Sequence, residues 1–346
     1  MTRDAPVTAG PAPILAADSV SVVYTSGRTS LPAVLDVSLR VGTSETVALV
    51  GESGSGKSTL AMAMIRGRAL HSGRLRFHGR DITNLTESQL REVRRDVALV
   101  FQDPYASLDP RMTVERIVAE PLRAHRIGNR TSQRERVRAL LADVGLDPDV
   151  TRRRPSQFSG GQRQRIAIAR ALASEPSLVI ADEPVSALDV SVQAQIVQLL
   201  RTLQRSHQMA YLLVSHDLPL VHHLADRVAV MYLGRIVESG PTRAVVARPQ
   251  HPYTAALLSA APSIDRRGRG ERILLSGSPP SPIARPSGCE FHPRCPIARA
   301  RCRDETPTLE TVAAGRTVAC FYPGELPGID LSSPSPAQRR AEQEVP

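Results

Sequence analysis

The sequence predicts an α/β fold, an open and mostly parallel sheet that carries a phosphate-binding loop, and three observations predict it. An apolar run, Glu45–Val50, leads straight into Gly51-Glu52-Ser53-Gly54-Ser55-Gly56-Lys57-Ser58, and a stretch of helical character, Lys57–Ile65, follows. Further apolar runs at Asp96–Phe101, Leu178–Ala181 and Tyr211–Val214 alternate with stretches of helical spacing, the pattern of parallel strand–helix–strand units. The chain holds one lysine against 43 arginines, and the one lysine is Lys57.

The strand–loop–helix unit makes an anion site, because unpaired backbone amides and the positive end of the helix dipole face the same point. Gly-x-x-x-x-Gly-Lys-Ser matches the Walker A loop, in which Ser58 is placed to ligate Mg²⁺ and Thr59 continues the first helical turn. Lysine has given way to arginine everywhere else. A compact ammonium fits among amides and phosphate oxygens where a planar guanidinium does not. A Gly/Ser-rich turn with no ligand would leave the lone lysine unexplained.

The run Leu178-Val179-Ile180-Ala181 ends in Asp182-Glu183, so a buried strand delivers two carboxylates to the edge where open α/β sheets bind ligands. On this reading Asp182 holds Mg²⁺ through water, and Glu183 orients or deprotonates an attacking water. A solvated strand end would look the same in isolation. The phosphate loop about 125 residues upstream selects the functional reading. Between the two lies Ser159-Gly160-Gly161-Gln162, ahead of the helical Ile166–Ala173. Ser159 caps that helix whatever the function, and the two glycines let backbone amides approach a ligand closely.

A chain of 346 residues suggests about two domains. Residues 1–13 are rich in Pro, Ala and Thr and read as a disordered lead-in, and 331–346 as a disordered tail. Leu35–Val41 reads as a strand, about 113–173 as a helical stretch containing Thr131–Val144, and about 192–206 as a helix. Near Pro249 the composition turns to Pro, Arg and Cys with few periodic apolar residues, which sets a domain boundary and leaves the following segment little core of its own. The expected domains are therefore 14–248, with a helical subdomain at about 104–175, and 249–330.

No basic segment followed by an apolar one opens the chain, so no secretory leader is expected. The apolar runs are too short to cross a bilayer. A cytosolic setting would keep the four thiols reduced. The net charge of +10 is diffuse, and aromatic residues are 3% with no Trp, which argues against a nucleic-acid binder that stacks bases.

With these motifs in order, the chain resembles the ATP-binding cassette (ABC) family, whose signature is Leu-Ser-Gly-Gly-Gln; Phe158 stands here for the leucine. The resemblance spans about residues 16–245. It implies an ABC-type P-loop domain with a helical signature subdomain, and a role for each matching residue. Gln102 resembles the glutamine that contacts Mg²⁺ and water and reports nucleotide state to a membrane partner. Ser186-Ala187-Leu188-Asp189 resembles the D-loop, His216 the histidine at the γ-phosphate, and Tyr24 the aromatic that stacks on adenine. Residues 51–59 would bind ATP, Glu183, His216 and Gln102 would serve hydrolysis, and Ser159, Gly160, Gly161 and Gln162 would act on the nucleotide of a second chain.

Val100-Phe101-Gln102-Asp103-Pro104-Tyr105-Ala106-Ser107-Leu108-Asp109-Pro110 and His251-Pro252-Tyr253-Thr254 are similar to the ATPase subunits of oligopeptide/dipeptide importers, the first run to the second of their two types. This implies a peripheral subunit on the cytoplasmic face of the cell membrane, working with a second ATPase, two permease subunits and an extracellular solute-binding protein, and not with nucleic acid. Importers of nickel, glutathione and murein peptides share these features. The rival class is a soluble ABC ATPase acting on DNA or the ribosome. The short span between the motifs leaves no room for the coiled coil of the DNA-acting members, and translation-factor members carry two cassettes.

The cysteines Cys289, Cys295, Cys302 and Cys320 follow a Cys-x5-Cys-x6-Cys-x17-Cys spacing, too wide for paired zinc knuckles. Cys295-Pro296 resembles the Cys-Pro step of ferredoxin loops. In the peptide-importer subfamily, Gly-Cys-x-Phe-His-Pro-Arg-Cys-Pro regions resemble sites assigned to a [4Fe–4S] cluster. Zinc and plain buried thiols stay open as alternatives, as does redox regulation of the ATPase through this module.

Overall fold

The computed structural model describes residues 12–27, 29–103, 107–260, 273, 275 and 277–326. The expected lead-in up to residue 11, the tail 331–346 and Pro104-Tyr105-Ala106 of the importer-like run lie outside the described residues. The described chain forms two compact units, one of 12–22, 34–48 and 58–214, the other of 23–33, 49–57 and the part from 215 onward.

The first unit holds two sets of strands, apart from their residues 23–26, 29–33, 49, 50 and 215, which fall in the second. Strands β1 (Leu15–Ser26), β2 (Thr29–Val41), β4 (Ser72–Phe77) and β5 (Arg80–Asp81) form a sheet in the order β2-β1-β4-β5. Of this sheet the sequence predicts only Leu35–Val41, the latter half of β2. In β4, antiparallel to β1, Leu75 and Phe77 are buried while Arg74 and Arg76 face outward. One face of such a sheet is solvated, and two apolar residues among arginines give a weak signal.

The expected parallel core is present. Strands β3 (Thr46–Val50), β6 (Val97–Val100), β7 (Leu178–Asp182) and β8 (Ala210–Ser215) lie in the order β3-β8-β7-β6. Val97 pairs with Leu178 and Leu178 with Ala210, both in parallel register. Strands buried on both faces read as continuous apolar runs, which is why these four were legible.

Five helices of this unit carry caps or faces that explain them. Helix α1 (Lys57–Met64) follows the Gly loop. Helix α2 (Glu87–Arg95) starts at a Thr86/Gln89 capping box and α3 (Arg130–Asp143) at an Asn129/Ser132 one. Helix α4 (Gly160–Ala171) is capped by Ser159 and buries Ile166–Ala169. Helix α5 (Val190–His207) buries Ile196, Leu200 and Leu203 and ends at Gln208 in the left-handed region, φ 52°.

The second unit contains an antiparallel set, β9 (Arg227–Tyr232), β10 (Arg235–Pro241), β11 (Glu310–Ala313) and β12 (Arg316–Val318), in the order β11-β12-β10-β9. Leu233 and Gly234, φ 42° and 82°, make the two-residue turn between β9 and β10. Helix α6 (Pro252–Ala260) begins with proline at its first position.

The segment after residue 249 has more core than its composition promised. Phe291 packs edge-on to Tyr232 at 5.3 Å and lies 5.5 Å from the rings of both Tyr253 and His251. Beside it, fully buried Glu238 accepts from Arg316 at 2.7 Å and from the backbone N–H groups of Gln250 and His251 at 2.9 Å each. A few rings and one buried ion pair replace a periodic apolar pattern here. Among the described residues no helix is long and apolar enough to cross a membrane.

Candidate nucleotide site

The phosphate loop belongs to the second unit up to Lys57. Lys57 is buried, and its Nζ donates to the carbonyls of Gly51 and Glu52, both at 2.8 Å. Gly56, φ 99°, lies so close to the Ala33 carbonyl that a Cβ there would collide with it. A side chain at Gly51 would meet the Met231 carbonyl in the same way. The loop is thus seated backbone against backbone, and the Gly234 N–H adds a bond of 2.9 Å to the Ser55 carbonyl. Ser53 and Gly54 are exposed at its tip.

Glu52 is held at both its side chain and its amide. Its backbone N–H donates to the Tyr253 hydroxyl at 2.7 Å. Its carboxylate accepts both arms of Arg294, at 2.8 and 3.0 Å. Sequence reasoning assigned no role to Tyr253 or Arg294. The available signal was Glu52 itself, since a carboxylate inside an anion-binding loop calls for a cation beside it.

In the first unit, Ser58 and Thr59 lie in the first turn of α1, and the Ser58 Oγ donates to Asp182 Oδ1 at 3.0 Å. Gln102, just past β6, donates through Nε2 to Glu183 Oε2 at 3.0 Å. Glu183 sits beyond the end of β7 with φ 46°, a conformation costly for a residue with a side chain. Its N–H is fixed to the Val214 carbonyl at 2.9 Å. Parallel strands therefore deliver a hydroxyl, an amide and two carboxylates to one edge. Such hard oxygen donors suit Mg²⁺. The residues present fit that ion.

The signature tetrapeptide stands as a helix start. Phe158 is buried, while Ser159 and Gln162 are exposed and form a reciprocal capping box, with Ser159 N–H on Gln162 Oε1 at 3.0 Å. A Cβ on Gly161 would approach Val192 at 2.5 Å. Asp189 is exposed at the position before α5. His216 follows β8 and is exposed, and Tyr24 lies in β1 at 37% exposure. Both belong to the unit that holds residues 49–57, whereas Gln102, Asp182 and Glu183 belong to the other.

The four cysteines line one cavity of about 10 Å³, together with His251, Phe291 and Tyr322. Burial pushes the Cys295 thiol up to about 12 and Cys320 to about 11, and raises Cys289 as well. The convergence supplies the soft donors that thiophilic metals take. The spacing is another matter. Among the described residues no three His, Cys, Asp or Glu stand as a group able to hold one ion, and the cavity is about one water in size. As placed, the thiols fit neither a zinc ion nor the larger iron–sulfur cluster.

Two family profiles match the chain, that of the ABC transporter over residues 34–186 and that of the oligopeptide/dipeptide transporter C-terminal region over 237–302. The chain is 52% identical over 296 residues to a probable peptide ABC transporter ATP-binding protein of Sinorhizobium fredii, covering 85% of this chain and 84% of that one. It is 49% identical over 291 residues to the oligopeptide transport ATP-binding protein AppF of Bacillus subtilis, covering 83% and 88%. Among solved structures, a dimeric ATP-binding cassette in a post-hydrolysis state with ADP and phosphate matches with a TM-score of 0.61 and 30% identity, over 66% of this chain and 99% of that one. A phosphate loop seated on backbone, carboxylates at the edge of a parallel sheet and a C-terminal module of the matching type place this chain in the family of ATP-binding subunits of oligopeptide/dipeptide ABC transporters.

Proposed function

We propose that this ATPase energises the import of oligopeptides or dipeptides from the cytoplasmic face of a bacterial cell membrane, with Glu183 as the group that activates water. The observation that carries the residue roles is the Gln102–Glu183 bond of 3.0 Å at the strand edge, next to the Ser58–Asp182 pair. It supports a Gln102 that senses the same carboxylate that meets water.

In this reading ATP lies along residues 51–59, with Tyr24 on its adenine. Its phosphates take up the Lys57 ammonium now turned toward Gly51 and Glu52. Ser58, Asp182 and Gln102 would hold Mg²⁺, which supplies charge neutralisation between the β- and γ-phosphates when bound. Glu183 takes the proton of the water as its oxygen bonds to the γ-phosphorus. The bond from that phosphorus to the β–γ bridging oxygen breaks so that ADP leaves, and His216 donates to the γ-phosphate. The bond of 2.9 Å from the Glu183 N–H to the Val214 carbonyl holds this backbone in place, which limits the reorganisation needed at reaction.

Ser159, Gly160, Gly161 and Gln162 cap the γ-phosphate of a second ATPase chain, as does the D-loop Asp189 at its side. The exposure of Ser159 and Gln162 at a helix start supports this, as does the single phosphate loop and single signature per chain. Two permease subunits and a solute-binding protein complete the transporter. The working division is a cassette over 14–248 and a C-terminal domain over 249–330. A [4Fe–4S] cluster on its four thiols, for which their convergence on one cavity speaks, requires that cavity to widen. Iron and sulfide analysis of anaerobically purified protein decides it, and protein free of both refutes it.

The substrate is tested by uptake of labelled di- and oligopeptides in cells with and without the gene. Peptide uptake should fall at least about tenfold on deletion. Unchanged peptide uptake with lost nickel or glutathione uptake would reassign the substrate.

A further inference from the structure

The phosphate loop carries its own negative charge. Glu52 follows the first glycine of a loop built to receive a triphosphate, and its carbonyl already accepts the Lys57 ammonium at 2.8 Å. An unneutralised carboxylate in that position would repel the incoming phosphates. The structure answers this charge from far along the sequence. Arg294, 242 residues away and with a side chain only 6% exposed, engages the carboxylate with both arms at 2.8 and 3.0 Å. Two parallel charge-assisted bonds fix direction as well as charge. The Tyr253 hydroxyl, 2.7 Å from the Glu52 amide, fixes the backbone at the same residue.

Arg294 and Tyr253 both fall in the stretch matched to the C-terminal region of oligopeptide/dipeptide transporters, residues 237–302. A second contact runs parallel. Arg285 bonds to the Leu233 carbonyl and to Glu290, and the adjacent Gly234 holds the Ser55 carbonyl. The module that carries the cysteines therefore holds the loop directly at Glu52, and through the Leu233–Gly234 turn it braces Ser55, without a residue of its own at the phosphates.

We propose that Arg294 is a positioning residue for nucleotide binding: it cancels the charge of Glu52 and holds the loop in its ATP-accepting shape. The C-terminal module thereby becomes part of what sets the affinity of the phosphate loop. This rests on ATP occupying that loop.

The test titrates fluorescent ATP into the purified full-length chain and measures KM and kcat. Arg294→Ala should weaken binding at least about tenfold and raise KM, with kcat little changed, because Glu52 is left unneutralised. Arg294→Lys, which keeps the charge but not the two-armed bond, should recover only part of that loss. Arg294→Ala with Glu52→Gln should return to within about threefold of the parent, since the repelling charge has gone. The double variant leaves no buried unpaired charge, so it remains informative even where Arg294→Ala alone does not fold. A double variant that still binds tenfold more weakly would overturn the proposal, as would an Arg294→Ala protein with parental affinity. A parent chain that does not bind ATP would instead sink the nucleotide reading on which it rests.

Discussion

Lys57 illustrates how much one residue can say. Its isolation among 43 arginines marked a site where charge alone was insufficient, and the structure gives the physical reason. The ammonium fits between two carbonyls at 2.8 Å within a loop whose glycines already touch neighbouring backbone. A guanidinium has no room to turn there. Lys57→Arg should therefore lower ATP affinity at least about thirtyfold despite conserving charge, and titration with a fluorescent ATP analogue reads this directly. Affinity within about threefold of the parent would make the lone lysine an accident of composition. Arg294 is the opposite case. It is as close to the loop as Lys57 in its consequences, yet it looks like any other arginine in a sequence that has so many, and only the fold brings it to Glu52.

At the scale of elements, legibility followed local pattern. The buried strands β3, β6, β7 and β8 announce themselves as apolar runs, and α3, α4 and α5 by helical spacing and caps. Strand β4 does not, because Ser-Gly-Arg-Leu-Arg-Phe offers only Leu75 and Phe77 to a core. The hairpins β9–β12 are held by distant partners, and no window of sequence contains both Glu238 and Arg316. That pair is the structural joint of the second unit, with Glu238 fully buried and Arg316 nearly so. Arg316→Leu leaves a buried carboxylate with only backbone donors and should cost about 3 kcal/mol. Urea unfolding measures it. Pairing it with Glu238→Gln should recover more than half of the loss, and a double variant as unstable as the single one would show that Arg316 matters by packing alone.

For the whole molecule, the ATP site was legible because a phosphate loop, an acidic strand end and a signature occur in order. The C-terminal module was legible as a thiol-bearing region but not as a packed one. Its aromatic contacts among Tyr232, Tyr253 and Phe291 join residues far apart in the chain, and the grip on the phosphate loop depends on them. In the sheet of β1, β2, β4 and β5 only Leu35–Val41 was legible as a strand, since β4 reaches β1 across more than 45 residues and carries little apolar pattern.

The central claim is that the chain hydrolyses ATP with Glu183 as the water-activating group inside a transporter. The most direct measurement is steady-state ATP hydrolysis by the membrane complex isolated through a tag on this chain, with the parent and with Glu183→Gln. The variant should bind ATP with near-parental affinity while turnover falls at least about a hundredfold, because the phosphate contacts survive and the base does not. Turnover close to that of the parent would contradict the account.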